Sequence, residues 1–409
     1  MSAKSFLLSI DSKKIKYGLS RTLALLQACN NPEKKLVSIQ IIGTNGKGSI
    51  AAMLSNVLVQ NSYKVGLFTS PHLVHINERI RINNQNIPDD FLDFFIKKYK
   101  RQIQKINPSF FEIITVISLY YFAQKKVDIA ILETGLGGAL DSVTAAQADT
   151  LIFTPIDYDH MAILGNSLSK ITAEKAGAIQ NAQQLLISCS QRSIVKKTLN
   201  NIAKKKSNQI FYLNKDYKKL PRFSLFNVDH QRHNALFVEY IFQHIKTKYS
   251  LRLNNVIQHI QDTQWPGRIQ HLAFEPSVIF DVAHNSHSIQ GFINYFQKHR
   301  QQYKKTFLIL GLEQGKSIET NLPALYNLFD TIDCTETNIR NSMSADELFS
   351  LYKPDNKKIF IKKNVLKIIK HRIKTADVAD AIVILGSHYF APYINKVYKN
   401  CFDIDIKSS

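Results

Sequence analysis

Seven consecutive residues, Gly43-Thr44-Asn45-Gly46-Lys47-Gly48-Ser49, have the types and spacing to hold phosphate. Glycines let a backbone approach an anion closely, a lysine supplies a point charge, and a serine hydroxyl is an oxygen ligand of the kind magnesium takes. The run upstream, Leu36 to Ile42, is apolar except for Ser38 and Gln40 and reads as a strand. Downstream, Ile50, Met53, Leu54, Val57 and Leu58 recur at helical spacing. Strand, glycine-rich turn and helix N-terminus form a cradle in which backbone N–H groups and the helix dipole face the ligand. The spacing departs from a Walker loop: Ile41 stands where the first glycine belongs, and Ser49 comes one residue late. On these residues alone, a variant phosphate loop and an ordinary glycine-rich βα turn both stay open.

The elements that must position this loop follow a βα rhythm. Residues 1 to 35 read as a helical lead-in, with Leu19, Leu23 and Leu26 at helical spacing. Lys64 to Thr69, Val127 to Glu133 and Asp149 to Thr154 read as strands; Asp89 to Ile106 and Phe111 to Lys126 read as helices. The rhythm restarts beyond Val256 to Gln264 with five short strands, Val278 to Phe280, Thr306 to Leu310, Phe329 to Asp333, Lys358 to Ile361 and Ala381 to Leu385. The expected fold class is therefore α/β. An N-terminal P-loop ATPase domain with a central, mostly parallel sheet (1–262) precedes a smaller, doubly wound Rossmann-like domain (263–409). Functional side chains should cluster at the carboxyl ends of the strands, where Ser49, Ser70, Glu133 and His160 all fall.

Composition bounds the possibilities. The chain has 409 residues, 44 % hydrophobic and 10 % aromatic, which describes a globular protein of two or three domains. No apolar run is long enough to span a bilayer, and Met1 to Ser12 has no sustained apolar stretch, so neither membrane insertion nor a signal peptide is expected. Four cysteines stand singly, at 29, 189, 334 and 401, which suggests a reducing compartment, the cytoplasm by default. A net charge of +21 invites a nucleic-acid reading. The lysines are scattered, however, and no aromatic residues interleave with arginines, so lysine-rich composition is the preferred explanation and no nucleic-acid partner is expected.

Further short patterns follow the loop in order: Thr69-Ser70-Pro71-His72, Glu133-Thr134-Gly135-Leu136-Gly137-Gly138-Ala139-Leu140-Asp141, Asp159-His160, Ala173-Glu174-Lys175-Ala176-Gly177, His230-Gln231-Arg232-His233-Asn234, Trp265-Pro266-Gly267-Arg268, Asp281-Val282-Ala283-His284-Asn285 and Gly386-Ser387. In this order, over nearly the whole chain, they resemble the folylpolyglutamate synthase and dihydrofolate synthase family of the Mur ligase superfamily. The resemblance implies ATP-dependent amide formation between a pteroate-type carboxylate and L-glutamate, through an acyl phosphate. It implies that Gly43 to Ser49, Asn234, Arg268 and Asp281 bind ATP. Ser49, Ser70, Glu133, His160 and Lys175 would hold Mg2+, with Lys175 carbamylated. Lys47, Lys175 and His284 would take part in catalysis, and Phe110, Phe111, Asp141, His284 and Ser387 would contact dihydropteroate or reduced folate and L-glutamate. The enzyme is expected to be a cytoplasmic monomer carrying both activities.

Departures from the family pattern cluster, and those after Gly138 bear on recognition of the pterin substrate. Ala139 replaces an arginine, Ser142-Val143-Thr144-Ala145 replaces the usual continuation after Asp141, Gly315-Lys316-Ser317 keeps only the lysine of its segment, and Val228 replaces a glycine. These leave open folylpolyglutamate synthase activity alone, a Mur-type amino-acid ligase, and a degenerate homologue.

Overall fold

A computed structural model describes residues 3–10, 18–180, 184–213, 229–316, 318–339, 341–352 and 358–404; Val228 and Ser317 lie outside the described residues. The chain forms two compact units. The first takes the described residues up to Leu213 and Gln231–Gln264, and the second takes Asp229, His230 and the described residues from Trp265 onward.

The first unit is built on an eight-stranded sheet, counted among the described residues. Its strands are β1 (Ser38–Ile42), β2 (Val65–Phe68), β3 (Ile80–Ile82), β4 (Gln85–Asn86), β5 (Ile129–Glu133), β6 (Thr150–Phe153), β7 (Leu185–Ser188) and β8 (Ile210–Tyr212), in the order β4-β3-β2-β5-β1-β6-β7-β8. Pairing is parallel from β2 through β8, and β3 and β4 add antiparallel at one edge. Its helices are α1 (Ala3–Ser9), α2 (Ser20–Ala28), α3 (Lys47–Gln60), α4 (Asp89–Ile106), α5 (Phe110–Gln124), α6 (Met161–Leu164), α7 (Leu168–Ala176), α8 (Ser193–Lys205), α9 (Asp229–Lys248, from Gln231 on) and α10 (Val256–Gln261).

Both faces of this sheet are covered, which is why β1 and β5 are buried at every residue. Phe68, Leu132, Ile113 and Ile117 pack on one side, and Ile42, Phe153, Ile171 and Leu199 on the other. All five apolar residues singled out on α3 are buried. The stripe expected on α2 is corrected. Thr22, Leu25 and Leu26 are buried, whereas Leu23 is exposed, because periodicity gives a helix its period but not which neighbour it packs against.

The second unit holds a six-stranded sheet among its described residues, one strand more than the five expected. Its strands are β9 (Gln270–Phe274), β10 (Ser277–Asp281), β11 (Thr306–Leu310), β12 (Thr331–Cys334), β13 (Ile359–Ile361) and β14 (Ala381–Leu385), ordered β13-β12-β11-β14-β10-β9. β9 is the addition, an antiparallel edge strand whose side chains are partly buried except for the exposed Phe274. Helices α11 (Ser286–His299), α12 (Leu322–Leu328), α13 (Ala345–Ser350), α14 (Val365–Thr375) and α15 (Ala391–Asn395) complete the unit. On α14, Arg372 reaches Asp333 of β12 with two hydrogen bonds of 2.6 and 2.9 Å, and Asp333 is 1 % exposed.

Candidate active site

Four neighbouring strands, β2, β5, β1 and β6, deliver their carboxyl ends to one edge of the first sheet. Gly43 to Gly46 leave β1 there and α3 begins at Lys47. Two glycines are dictated by their surroundings. A Cβ on Gly43 would run into the hydroxyl of Thr154, and Gly46 adopts a φ of +85° with the Asn234 amide oxygen 2.8 Å from where a Cβ would sit. Asn234 is thus brought to the loop, as expected. Its Nδ2 donates to Gln231 Oε1 at 3.2 Å, and Gln231 Nε2 donates to Ser49 Oγ at 3.3 Å.

The loop N–H groups divide into two sets. Those of Thr44 and Asn45 donate to the carbonyl of Pro155, at 2.9 and 3.4 Å. These two N–H groups are therefore engaged within the protein. The other set is the first turn of α3, whose N–H groups have no partner four residues back within the helix and are of the kind that can take an anion.

Lysines converge on the same turn. Lys47 Nζ donates to the carbonyls of Gly43 and Thr44, at 3.3 and 3.2 Å. Lys175, buried near the end of α7, donates to the Gly43 carbonyl at 2.8 Å. Burial first, and then the charge of Lys47, push the Lys175 amine down to about 7, against the pull of Asp159, Asp141 and Glu174. The Gly135–Gly138 turn lies against α7. A Cβ on Gly138 would stand 2.7 Å from Lys175 Cα, and Ala139 N donates to Glu174 O at 2.9 Å. Ala139 itself packs on Gly177, so a backbone-close methyl stands at the position where the family pattern has an arginine.

Among the expected metal ligands, Ser70 and Glu133 meet directly, Ser70 N donating to Glu133 Oε2 at 2.9 Å; Glu133 is 4 % exposed. His160 initiates the short α6 with a left-handed φ of 49°. Its half-exposed imidazole lies 3.8 Å from the Asp159 carboxylate. No group of three or more His, Cys, Asp or Glu residues with metal-binding geometry occurs among the described residues. The donors present at this edge are a serine hydroxyl, a carboxylate and backbone oxygens, a set suited to a hard cation that keeps its waters and takes ligand phosphate oxygens.

Phe111 and Asp141, two of the residues expected to contact substrate, lie by the Gly135–Gly138 turn at the same edge. Phe111 lies with its ring over Gly135 and 5.8 Å from Phe68. Phe110 sits under the Arg79 guanidinium at 5.3 Å, and Arg79 Nε donates to His72 Nδ1 at 2.8 Å. Asp141 serves the loop itself: Oδ2 accepts from Leu136 N (2.8 Å) and Oδ1 from Val143 N (2.9 Å), while burial raises its carboxyl to about 6.

In the second unit, β10 and β14 are parallel neighbours. Asp281 ends β10, and its oxygens accept from Ile269 N at 2.8 Å and Ala283 N at 2.7 Å. Burial raises its carboxyl, opposed by the Arg268 charge. Arg268 Nη1 donates to Gly267 O at 3.2 Å. His284 Nδ1 lies 2.9 Å from the Val282 carbonyl; an oxygen that only accepts places the proton on Nδ1. Ser387, 1 % exposed after β14, accepts from Tyr389 N at 3.1 Å. His284 and Ser387 therefore follow adjacent strands.

The chain matches the Mur ligase middle domain over residues 41–256 and the Mur ligase glutamate ligase domain over residues 267–388. It belongs to the Mur ligase family. Its relatives include dihydrofolate synthases and folylpolyglutamate synthases. The dihydrofolate synthase/folylpolyglutamate synthase of Bacillus subtilis is 27 % identical over 417 residues, covering 94 % of this chain and 96 % of that protein. The dihydrofolate synthetase of Saccharomyces cerevisiae is 27 % identical over 431 residues, covering 94 % and 99 %. The structure of Escherichia coli FolC in complex with DHPP and ADP superposes with a TM-score of 0.84 at 25 % identity, covering 97 % of each chain. Within the Mur ligases, the chain falls in the dihydrofolate synthase/folylpolyglutamate synthase group.

Several contributors are invisible to sequence reasoning. Gln191 and the backbone of Pro155 act through long-range bonds, and no spacing announces them. Gln231 lies inside a recognised pattern, yet only the structure joins it to Ser49.

Proposed function

We propose that this protein is an ATP-dependent amide ligase that joins L-glutamate to dihydropteroate and to reduced folates. A carboxylate is a poor electrophile. Its oxygen attacks the γ-phosphorus of ATP, ADP leaves, and the acyl phosphate that forms is attacked by the glutamate nitrogen; the amide bond forms as phosphate departs and the nitrogen loses a proton. Phosphoryl transfer of this kind asks a protein mainly for positioning and charge neutralisation. The observation that carries the reading is the convergence of Lys47 and Lys175 on the Gly43 carbonyl, at the N-terminus of α3 and beside Asn234.

In this assignment Lys47 and the first-turn N–H groups of α3 hold the β- and γ-phosphates, with Asn234, Arg268 and Asp281 as further nucleotide contacts. Ser49, Ser70, Glu133 and His160 would hold Mg2+, which neutralises phosphate charge when bound. The buried Lys175, its amine pushed down to about 7, is available in its neutral form near neutral pH, the form that reacts with carbon dioxide. We assign it as a carbamylated ligand of the same cation. Phe110 and Phe111 would border the heterocycle, and His284 and Ser387 would receive glutamate. Relatives carrying both activities favour the bifunctional enzyme.

The test is ADP release with dihydropteroate plus glutamate and with tetrahydrofolate plus glutamate. ADP formation that needs acceptor and glutamate together, with both acceptors, supports the reading. Release with tetrahydrofolate alone as acceptor reduces it to folylpolyglutamate synthase. No stimulation by either pair refutes it.

A further inference from the structure

The phosphate loop is braced from beneath by the segment Thr154–Asp157, which leaves β6. Pro155 O accepts from Thr44 N and Asn45 N, at 2.9 and 3.4 Å. Thr154 Oγ1 donates to Asn45 O at 2.8 Å. Thr44 Oγ1 donates to Asp157 O at 3.0 Å and accepts from Asp157 N at 3.1 Å. Five hydrogen bonds thus tie two loop residues to a four-residue strap.

A proline at the centre of the strap has no N–H, so the strap cannot be held there as an extra rung of a sheet. Gln191, three residues beyond β7, holds it instead. Its Nε2 donates to Thr154 O at 2.9 Å and its Oε1 accepts from Ile156 N at 3.2 Å, the two backbone groups that flank Pro155. The amide orientation is dictated by these partners, since a carbonyl only accepts and an N–H only donates. Ser188 Oγ and Cys189 Sγ, each 3.3 Å from Nε2, seat the amide from the β7 side.

We propose that Gln191 is a positioning residue for nucleotide binding. It holds the Thr154–Asp157 strap, which takes up the Thr44 and Asn45 N–H groups and so leaves the first turn of α3 aimed at the phosphates. The assignment rests on the reading that this loop binds ATP. The side chain must supply a donor and an acceptor at once. Alanine supplies neither, and glutamate replaces the donor with an oxygen facing the Thr154 carbonyl.

The test is calorimetric titration of the full chain with ADP and magnesium, for the wild type, Gln191→Ala, Gln191→Glu and Thr154→Val. The last removes one strap-to-loop bond with little change of shape, and it carries the test if Gln191→Ala does not fold. Each folded variant is expected to weaken ADP binding about five- to tenfold, with Gln191→Glu at least as weak as Gln191→Ala. The KM for ATP should rise in parallel while the KM for glutamate stays within about twofold, a split that general destabilisation does not produce. Variants that bind ADP as the wild type does overturn the assignment alone. A wild type that gives no heat with ADP overturns both it and the reading beneath it.

Discussion

Lys47 and Lys175 donate to the same carbonyl, that of Gly43, one from four residues along the chain and the other from 132, at 3.3 and 2.8 Å. Two ammonium groups on one oxygen are a mutual penalty that an anion relieves, and burial makes Lys175 the one that gives up its proton. Lys175→Ala is therefore expected to fold and to lose ligase turnover by about 10²- to 10³-fold, the usual cost of removing one preorganised charge-stabilising group. Steady-state kinetics on the purified variant check this. Turnover near that of the wild type would remove Lys175 from the reaction.

The same burial has a pH signature. The amine titrates near 7 when folded and near 10.5 as the reference value, so between these the unfolded chain binds the extra proton and stability rises with pH. The penalty is fully present below about 7 and gone above about 10.5. Lys175→Met should lack this component: in CO2-free buffer, its gain in stability over the wild type is a few kcal/mol at pH 6.5 and shrinks toward pH 9.5. Denaturant unfolding at the two pH values measures it. A pH-independent difference contradicts the buried-amine account.

Gly138 leaves no room for a side chain against the backbone of Lys175. Gly138→Ala is expected to push the end of α7 away, costing about 1–3 kcal/mol of stability. Turnover should fall further than nucleotide affinity, because α3 and Lys47 are untouched. Thermal unfolding together with ADP titration separates the two effects, and unchanged stability and turnover would contradict the packing.

In the second unit the Arg372–Asp333 pair makes a paired prediction. Arg372→Met strands a carboxylate that is 1 % exposed, at about 3–5 kcal/mol, whereas Arg372→Met with Asp333→Asn removes the charge and recovers most of that. Urea unfolding of the two variants decides it. A double variant no more stable than the single one would mean the cost is packing of the arginine over Phe307, 4.8 Å away.

What the chain's order of residues reveals follows from physical range. β5 is legible because both faces of the sheet are buried and its apolar run is almost unbroken, β1 because its run is interrupted only by Ser38 and Gln40, and α3 because its apolar residues recur at helical spacing. β4 is two exposed residues and carries no apolar signal; the signal it does leave is Asn83-Asn84, both left-handed, joining it to β3 as a tight hairpin. Ser70 and Glu133 are foreseeable as strand-end neighbours, since adjacent parallel strands end together. Gln191 is not, because its partners lie some 35 residues upstream and glutamine has no spacing rule. The backbone bonds of Asp141 and Asp281 also escape pattern: nothing in the order of residues announces that Asp141 accepts from the N–H groups of Leu136 and Val143, or Asp281 from those of Ile269 and Ala283.

The central claim is that this edge of the first sheet activates a pteroate-type carboxylate for capture by glutamate. The direct measurement is mass spectrometry of the reaction of dihydropteroate, glutamate, ATP and magnesium, read beside ADP release. The account predicts a product one glutamyl unit heavier than dihydropteroate, formed one for one with ADP and absent when Lys47→Ala replaces the wild type. ADP formed without that product, or the product formed equally by Lys47→Ala, would contradict it.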